Sequence, residues 1–327
     1  MAHLTRFGLQ IPSFTYPDEV GAGLFERVVS IATTAETSGF DSLWVMDHFL
    51  QIPQVGRREE PMFEAYTLLG GLAGRTSRAR LGTMVTGVTY RNPALLAKQV
   101  TAVDVLSGGR AVLGIGAAWF HDEHETLGFD FPPLRERFGR LEEALRICRA
   151  MFREEAPTFE GRYYNVHGAI NRPPPVQSGG PPILVGGGGE RRTLRLVAEY
   201  ADACNIFGDV STVRHKLAVL DRHCESVGRD PSTVTKTRLG TLVIADTQRE
   251  ADRRLEELAS RRGQDLATVR STVTAGDPDR VVEAVGAFFD AGLDGLVFNM
   301  PDAHGIDSVA LAGSTLTGAF GVPDRIV

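Results

Sequence analysis

Short apolar runs alternate along the chain with longer segments in which apolar positions recur every three or four residues. The stretch 81–129 shows the pattern most clearly. LGTMVTGV reads as a buried strand. A helix-period segment then opens at Asn92 and Pro93 and closes at Ser107, Gly108 and Gly109, and a second buried strand runs over 111–115. A strand, helix, strand unit delivers both strand C-termini to one edge, the edge where parallel sheets place ligands.

The rest of the chain repeats this unit. A strand over 6–11 is broken by Pro12, and a helix over 24–38 stops at Gly39. The strand DSLWVM ends in Asp47 and His48, and a polar loop with Pro53 and Pro61 leads to a helix over 63–73. An amphipathic helix covers 135–152, with Phe138, Leu141, Leu145, Ile147 and Phe152 on its apolar face. Residues 157–181 break the rhythm. They are turn-rich, with aromatic strand-like pieces around Gly161 and prolines at 173–175, and predict an insertion carrying a hairpin. Strands follow at 183–185, 202–207, 235–245 and 295–300, and helices at 191–200, 213–227, 249–262, 278–291 and 307–317. Strands beginning near 6, 41, 80, 111, 182, 202, 235 and 293 make eight units, each followed by a helix. That count predicts one domain over 1–327, a closed (β/α)8 TIM barrel with insertions, rather than an open doubly wound sheet.

Composition narrows the function classes. The chain is 43% hydrophobic and 23% charged with a formal net charge of −6, which disfavours a nucleic-acid or membrane-surface role. The opening MAHLTRFGLQIPSF enters a strand directly and lacks a long apolar core, so neither a signal peptide nor a membrane span is expected and the cytosol is the expected compartment. Cys148, Cys204 and Cys224 are odd in number and widely spaced within helix or strand patterns, which fits buried thiols better than disulfides or a metal site.

Four places could carry chemistry. Gly186, Gly187, Gly188 and Gly189 lie between a buried strand and a helix, where residues without Cβ let main-chain N–H groups approach an anion and the helix dipole favours negative charge. Arg191 and Arg192 fit the same reading, a phosphate cradle; the alternative is a tight turn that needs glycine for geometry. The spacing is neither G-x-G-x-x-G nor a P-loop. Asp47 and His48 end the second strand, where a histidine can exchange protons near neutral pH, or where Asp47 caps a turn and His48 packs as wall. His121, Asp122, Glu123 and His124 crowd the loop after the fourth strand, but H-E-x-x-H is absent and acids at a helix start are explained by the dipole, so no metal is expected. Trp119, just past GIGAA, either stacks on a ligand or covers the barrel mouth. No Gly-x-Ser-x-Gly elbow is present, which disfavours nucleophilic hydrolysis.

Taken together, WVMDHF, LGTMVTGVTYRNPALLAKQVTAVDVLSGGR, LGIGAAW, LGFDFPPLRERFGRLEEAL and ILVGGGGERR resemble the luciferase-like monooxygenase superfamily, and within it the branch that binds the deazaflavin coenzyme F420 in place of FMN. The resemblance implies a luciferase-like barrel with the tricyclic ring in its mouth and a non-proline cis peptide at Met84 and Val85 behind the ring, with Thr86 beside it. It implies that residues 186–189 hold the phosphate, that Ala117, Ala118 and Asp122 line the loop beside the cofactor tail, and that Asp47 and His48 flank the ring, with His48 the proton donor or acceptor. In the sugar-phosphate dehydrogenases of this superfamily the position of Trp119 is a glutamate used as an acid. Its replacement points instead to an apolar or aromatic substrate resting against Trp119.

The expected activity is hydride transfer between deazaflavin and a small organic substrate. The alternatives are an FMN-dependent monooxygenase that uses oxygen and a partner flavin reductase, and a flavin- or deazaflavin-binding barrel without catalysis. The family commonly forms homodimers, and a homodimer is expected here.

Overall fold

Alternation of buried strands with one-sided helices leaves a sheet one way to cover both faces, and here the sheet closes on itself. The computed structural model describes residues 4–17 and 21–321, so the expected domain limits at 1 and 327 lie outside the described residues. Its strands are β1 (Phe7–Ile11), β2 (Ser42–Val45), β3 (Arg80–Thr83), β4 (Thr86–Gly87), β5 (Ala111–Gly116), β6 (Phe159–Glu160), β7 (Asn165–Val166), β8 (Ile183–Gly186), β9 (Ala203–Ile206), β10 (Thr235–Ile244), β11 (Val273–Gly276) and β12 (Gly295–Asn299). The order β1-β2-β3-β5-β8-β9-β10-β12 is parallel throughout and returns to β1. Gly8 stands opposite Ser42 on one side and Val297 on the other. This is the eight-stranded barrel that the periodicity predicts.

Around it lie α1 (Gly23–Ser38), α2 (Ala65–Ala73), α3 (Pro93–Ser107), α4 (His121–Leu127), α5 (Leu134–Arg153), α6 (Thr193–Tyr200), α7 (Val210–Ser226), α8 (Gln248–Arg262), α9 (Leu266–Thr272), α10 (Pro278–Asp290) and α11 (Ile306–Phe320). The cap chemistry of α3 is as written in its sequence. The Asn92 side chain accepts from the Ala94 N–H, Pro93 opens the first turn, and Gly108 closes the helix in the left-handed conformation. No helix among the described residues is long and apolar enough to cross a membrane.

Two layers of core follow from strand alternation. Outward side chains pack under the helices, while Trp44, Val112, Leu184, Ala203 and Val297 fill the barrel interior with Met84. At Gly114 of β5 a Cβ would stand 1.8 Å from the Thr83 carbonyl oxygen, so only glycine lets the chain after β3 cross this close. The peptide between Met84 and Val85 is cis, at the position where the resemblance implies it.

Residues 157–181 carry the antiparallel pair β6–β7, bound to α5 by Glu143, whose carboxylate accepts the main-chain N–H groups of Arg162, Tyr163 and Tyr164. The structure differs from the sequence reading in several places: LGTMVTGV is split into β3 and β4 at Met84 and Val85, and the loop expected after β5 holds α4. The helix expected to begin at Arg191 begins at Thr193, so Arg191 and Arg192 sit in the turn before it. Residues 263–277, read as a loop, hold α9 and β11; β11 extends the outer half of β10 beyond the barrel, with Thr241 opposite Val273, and encloses a side core of Val243, Leu255, Leu258, Val269 and Val273. Four residues, VTAG, are too short for alternation to be read.

Candidate active site

The mouth of the barrel is built from the chain segments that follow the strands. After β2 the two candidate residues part. Asp47 is 2% exposed and paired bidentately with Arg91 at 2.6 and 2.9 Å, and Arg91 also binds Glu64 at 2.6 Å. Burial pushes the Asp47 carboxyl above its ordinary range, and the Arg91 guanidinium counters only part of that rise. Of the two residues, only His48 reaches the mouth. It is 13% exposed, with its ring edge-on to Trp119 at 5.6 Å and to Phe120 at 5.7 Å.

His48 Nδ1 lies 3.1 Å from Oε1 of Glu123, which the sequence reading named only within the His121–His124 run and gave no role of its own. Glu123 is fully buried. Its Oε2 accepts the main-chain N–H of Leu50 at 2.9 Å and that of Phe49, and its Oε1 also accepts the Tyr90 hydroxyl. Burial works to raise the Glu123 carboxyl, but hydrogen bonds from His48, Tyr90 and Leu50 outweigh it and hold the group below its ordinary range. Tyr90 is itself stacked on His124 at 4.7 Å, and His124 is fixed between the Thr89 hydroxyl at 2.6 Å and the Phe120 carbonyl at 2.7 Å. Burial lowers the His124 pKa below its ordinary value.

Asp122, the neighbour that the resemblance placed beside the cofactor tail, lies on the half-exposed outer side of α4, 3.4 Å from Arg58. His121 is exposed and sits 3.9 Å from Glu125. The four consecutive residues therefore diverge, and among the described residues no three His, Cys, Asp or Glu side chains converge as metal ligands. The three cysteines are buried and unpaired, and burial pushes the Cys148 and Cys204 thiols up to about 12.

Ala117 and Ala118 form the loop above β5. Ala118 adopts φ +59°, and the carbonyls of both residues accept from Arg137, whose Nε donates to the Pro132 carbonyl at 3.0 Å. Arg137, from the motif LRERFGRL, is a supporting residue that the sequence reading passed over. The clamped loop presents Trp119 at 53% exposure, beside His48. Thr86 is fully buried, hydrogen-bonded to Tyr66 at 2.7 Å and Thr83 at 3.0 Å, so it supports the wall. The Met84 carbonyl accepts from Gln10 Nε2 at 3.1 Å.

The glycine run forms a second floor to the mouth. Gly187 has φ +123°, a conformation that L side chains rarely adopt, and its N–H is spent on the Asn205 carbonyl at 2.9 Å. Among the described residues no acceptor takes the N–H of Gly188, Gly189 or Glu190. Lys216 donates to the Gly188 carbonyl at 2.7 Å and to Glu190 at 3.0 Å. Together with Phe138, Arg191 and Arg192 these residues line a hollow of about 360 Å³. Free main-chain donors, three cationic side chains and the start of α6 suit a phosphate.

The comparisons agree with this architecture. The family described as luciferase-like monooxygenase matches residues 5–295. The F420-dependent glucose-6-phosphate dehydrogenase of Kineococcus radiotolerans is 32% identical over 298 residues, covering 84% of this chain and 87% of that protein. The enzyme of the same name from Amycolatopsis mediterranei is 31% identical over 297 residues, covering 84% and 88%. Among solved structures, the coenzyme F420-dependent tetrahydromethanopterin reductase from Methanopyrus kandleri superposes with a TM-score of 0.78 at 17% identity, covering 97% of this chain and 99% of that one. The monooxygenase RslO1 from Streptomyces bottropensis superposes at 0.81 and 20% identity, covering 96% and 99%. At these identities the structures establish the fold. With the family match spanning nearly the whole barrel, the chain belongs to the luciferase-like monooxygenase family and is an oxidoreductase enzyme.

Proposed function

We propose that the protein is an F420-dependent oxidoreductase that moves a hydride between the deazaflavin and a small, uncharged, apolar or aromatic substrate. The observation that carries the reading is the meeting of His48 and Trp119 at the mouth of a barrel whose β8 end bears a cradle of free N–H groups. The chain fits the cofactor: Gly188, Gly189 and Glu190 would hold its phosphate through main-chain N–H groups, with Lys216 and Arg191 adding charge, and Met84 and Val85 would back the ring. When bound, the deazaflavin supplies the carbon that accepts or donates the hydride.

This chain's residues supply orientation and the proton. With a secondary alcohol as substrate, His48 Nε2 would take the O–H proton as the carbonyl forms, and with a carbonyl substrate it would return that proton to the oxygen. The F420-dependence of the relatives supports the cofactor.

Their sugar-phosphate substrate does not carry over. Trp119 stands where those enzymes use a glutamate, and the inward positions at the strand ends, Gln10, Val85, Gly186, Asn205, Thr241 and Asn299, are all neutral. Of the arginines around the mouth, Arg91 is committed to Asp47 and Glu64, Arg137 to carbonyls and Arg254 to Asp302 and Ser308, while Arg191 and Arg192 belong to the proposed cofactor cradle. A phosphate dianion on the substrate would be desolvated there without a counter-charge.

Titration with oxidised F420 and, separately, with FMN, followed by the fluorescence of Trp119, tests the reading. Selective F420 binding and turnover of small alcohols or electron-poor double bonds, but not of glucose 6-phosphate, is the expected result. Selective FMN binding would place the chain with the oxygen-using, reductase-fed members. The exposed Leu95, Val105 and Leu106 of α3 support a homodimer, which light scattering checks.

A further inference from the structure

We propose that Glu123 is a positioning residue, whose carboxylate holds the neutral ring of His48 as the Nδ1–H tautomer and leaves Nε2 as the one nitrogen that exchanges a proton at the mouth. The inference rests on the assignment of the substrate proton to His48 and deepens it.

An ionised carboxylate is an acceptor only, so the nitrogen 3.1 Å from its Oε1 must carry a hydrogen. That nitrogen is Nδ1, and in a neutral imidazole the other nitrogen then keeps its lone pair. Nε2 has no partner among the described residues and is not among the sealed polar atoms, so it is open at the mouth. No competing group sets the ring: Trp119 and Phe120 face it with aromatic carbon, and the Asp47 carboxylate is turned onto Arg91.

Glu123 is also unable to drift. Oε1 receives His48 and Tyr90, and Oε2 receives Phe49 and Leu50. Two of those donors are the main-chain N–H groups of Phe49 and Leu50, so the carboxylate fixes both the His48 ring and the turn that directly follows it. Tyr90 is held in turn by the stack on His124. A carboxylate needed only to close the turn would require the two main-chain contacts; the His48 contact and the buried Tyr90 hydroxyl go beyond that need.

Histidine side-chain NMR tests this without cofactor or substrate. The eight histidines are labelled with nitrogen-15, His48 is assigned by its loss in His48→Gln, and its tautomer is read from two-bond proton–nitrogen correlations in alkaline buffer. The expected wild-type pattern is Nδ1–H. In Glu123→Gln the amides of Phe49 and Leu50 still require an acceptor, so the new carbonyl faces them and the NH2 faces Nδ1, reversing His48 to Nε2–H. Glu123→Asp, which keeps an acceptor, retains Nδ1–H. A wild-type ring in the Nε2–H form, or a ring indifferent to Glu123→Gln, overturns the proposal. If Glu123→Gln fails to fold, the wild-type tautomer alone decides. Failure of F420 to bind would overturn the function proposed above and leave this result standing.

Discussion

Asp47 and His48 are adjacent in the chain and meet opposite environments. Asp47 is sealed with Arg91 in an ion pair beneath the mouth, whereas His48 opens to the mouth with one nitrogen free and the other held by Glu123. Both follow the end of β2, where the chain turns, and there one is drawn under the mouth by Arg91 while the other is held at it by Glu123. Both sites use a buried carboxylate, but with different partners. Arg91 neutralises Asp47 with charge, which makes a rigid wall. Neutral donors surround Glu123, so its charge acts on the ring beside it. Under the proposed function, the first arrangement braces the wall and the second sets up the proton-exchanging group.

The largest effect that would test this contrast is on turnover. His48→Ala should cost about 10²–10⁴-fold in the rate of hydride transfer, the usual contribution of a positioned acid or base, while leaving F420 affinity and unfolding free energy near wild type. A variant that lost affinity in parallel with turnover would make His48 a wall residue. Arg91→Ala should behave in the reverse way. It leaves Asp47 buried without its partner and should cost about 3–5 kcal/mol in urea unfolding, with Asp47→Asn in the same chain recovering part of the loss. An Arg91→Ala protein of unchanged stability would mean that Asp47 is not held as the structure shows.

Gly187→Asp comes next. It places a side chain at φ +123° and a carboxylate toward the cradle, and losing charge-assisted contacts worth about 1.5–3 kcal/mol weakens cofactor binding on the order of 10²-fold. Unchanged affinity would remove the phosphate from the 186–189 turn. Trp119→Glu is smaller, about tenfold in KM for apolar substrates, consistent with the roughly 1–3 kcal/mol of an altered apolar contact. An unchanged substrate profile would make Trp119 a cover over the mouth.

What could be read beforehand divides along the same physical line. The barrel, the α3 caps at Asn92 and Gly108 and the glycine run were legible because each depends on local periodicity or on backbone freedom that only certain residues have. Glu123 was not. In the run His121 to His124 each residue looks alike to composition, and which one turns inward on a seven-residue helix is decided by Tyr90, Phe49 and Leu50, which come from distant parts of the chain. Of that run the resemblance spoke only of Asp122, and beside the cofactor tail; the phase of α4 carries that residue to Arg58 and Glu123 to His48. Arg137 was invisible for a related reason: its role is to meet carbonyls of a loop twenty residues earlier, and carbonyls leave no mark in a sequence. The strand β11 was missed because four residues show too little alternation.

The smallest effect concerns acid. Glu123 is held below 4.5 in the folded protein, so the folded state binds fewer protons there than the unfolded chain does. A depressed carboxylate contributes stability that is present above its unfolded value and is lost as pH falls through the folded one. Glutamine at this position does not titrate. The gap in unfolding free energy between wild type and Glu123→Gln should therefore be widest near neutrality, begin to close below about pH 4.5 and continue closing as the folded value is crossed. Urea unfolding at pH 7, 5 and 4 measures it. A gap that does not vary with pH would mean that Glu123 contributes through shape alone, and the contrast with the charge-neutralised Asp47 would then fail on the Glu123 side.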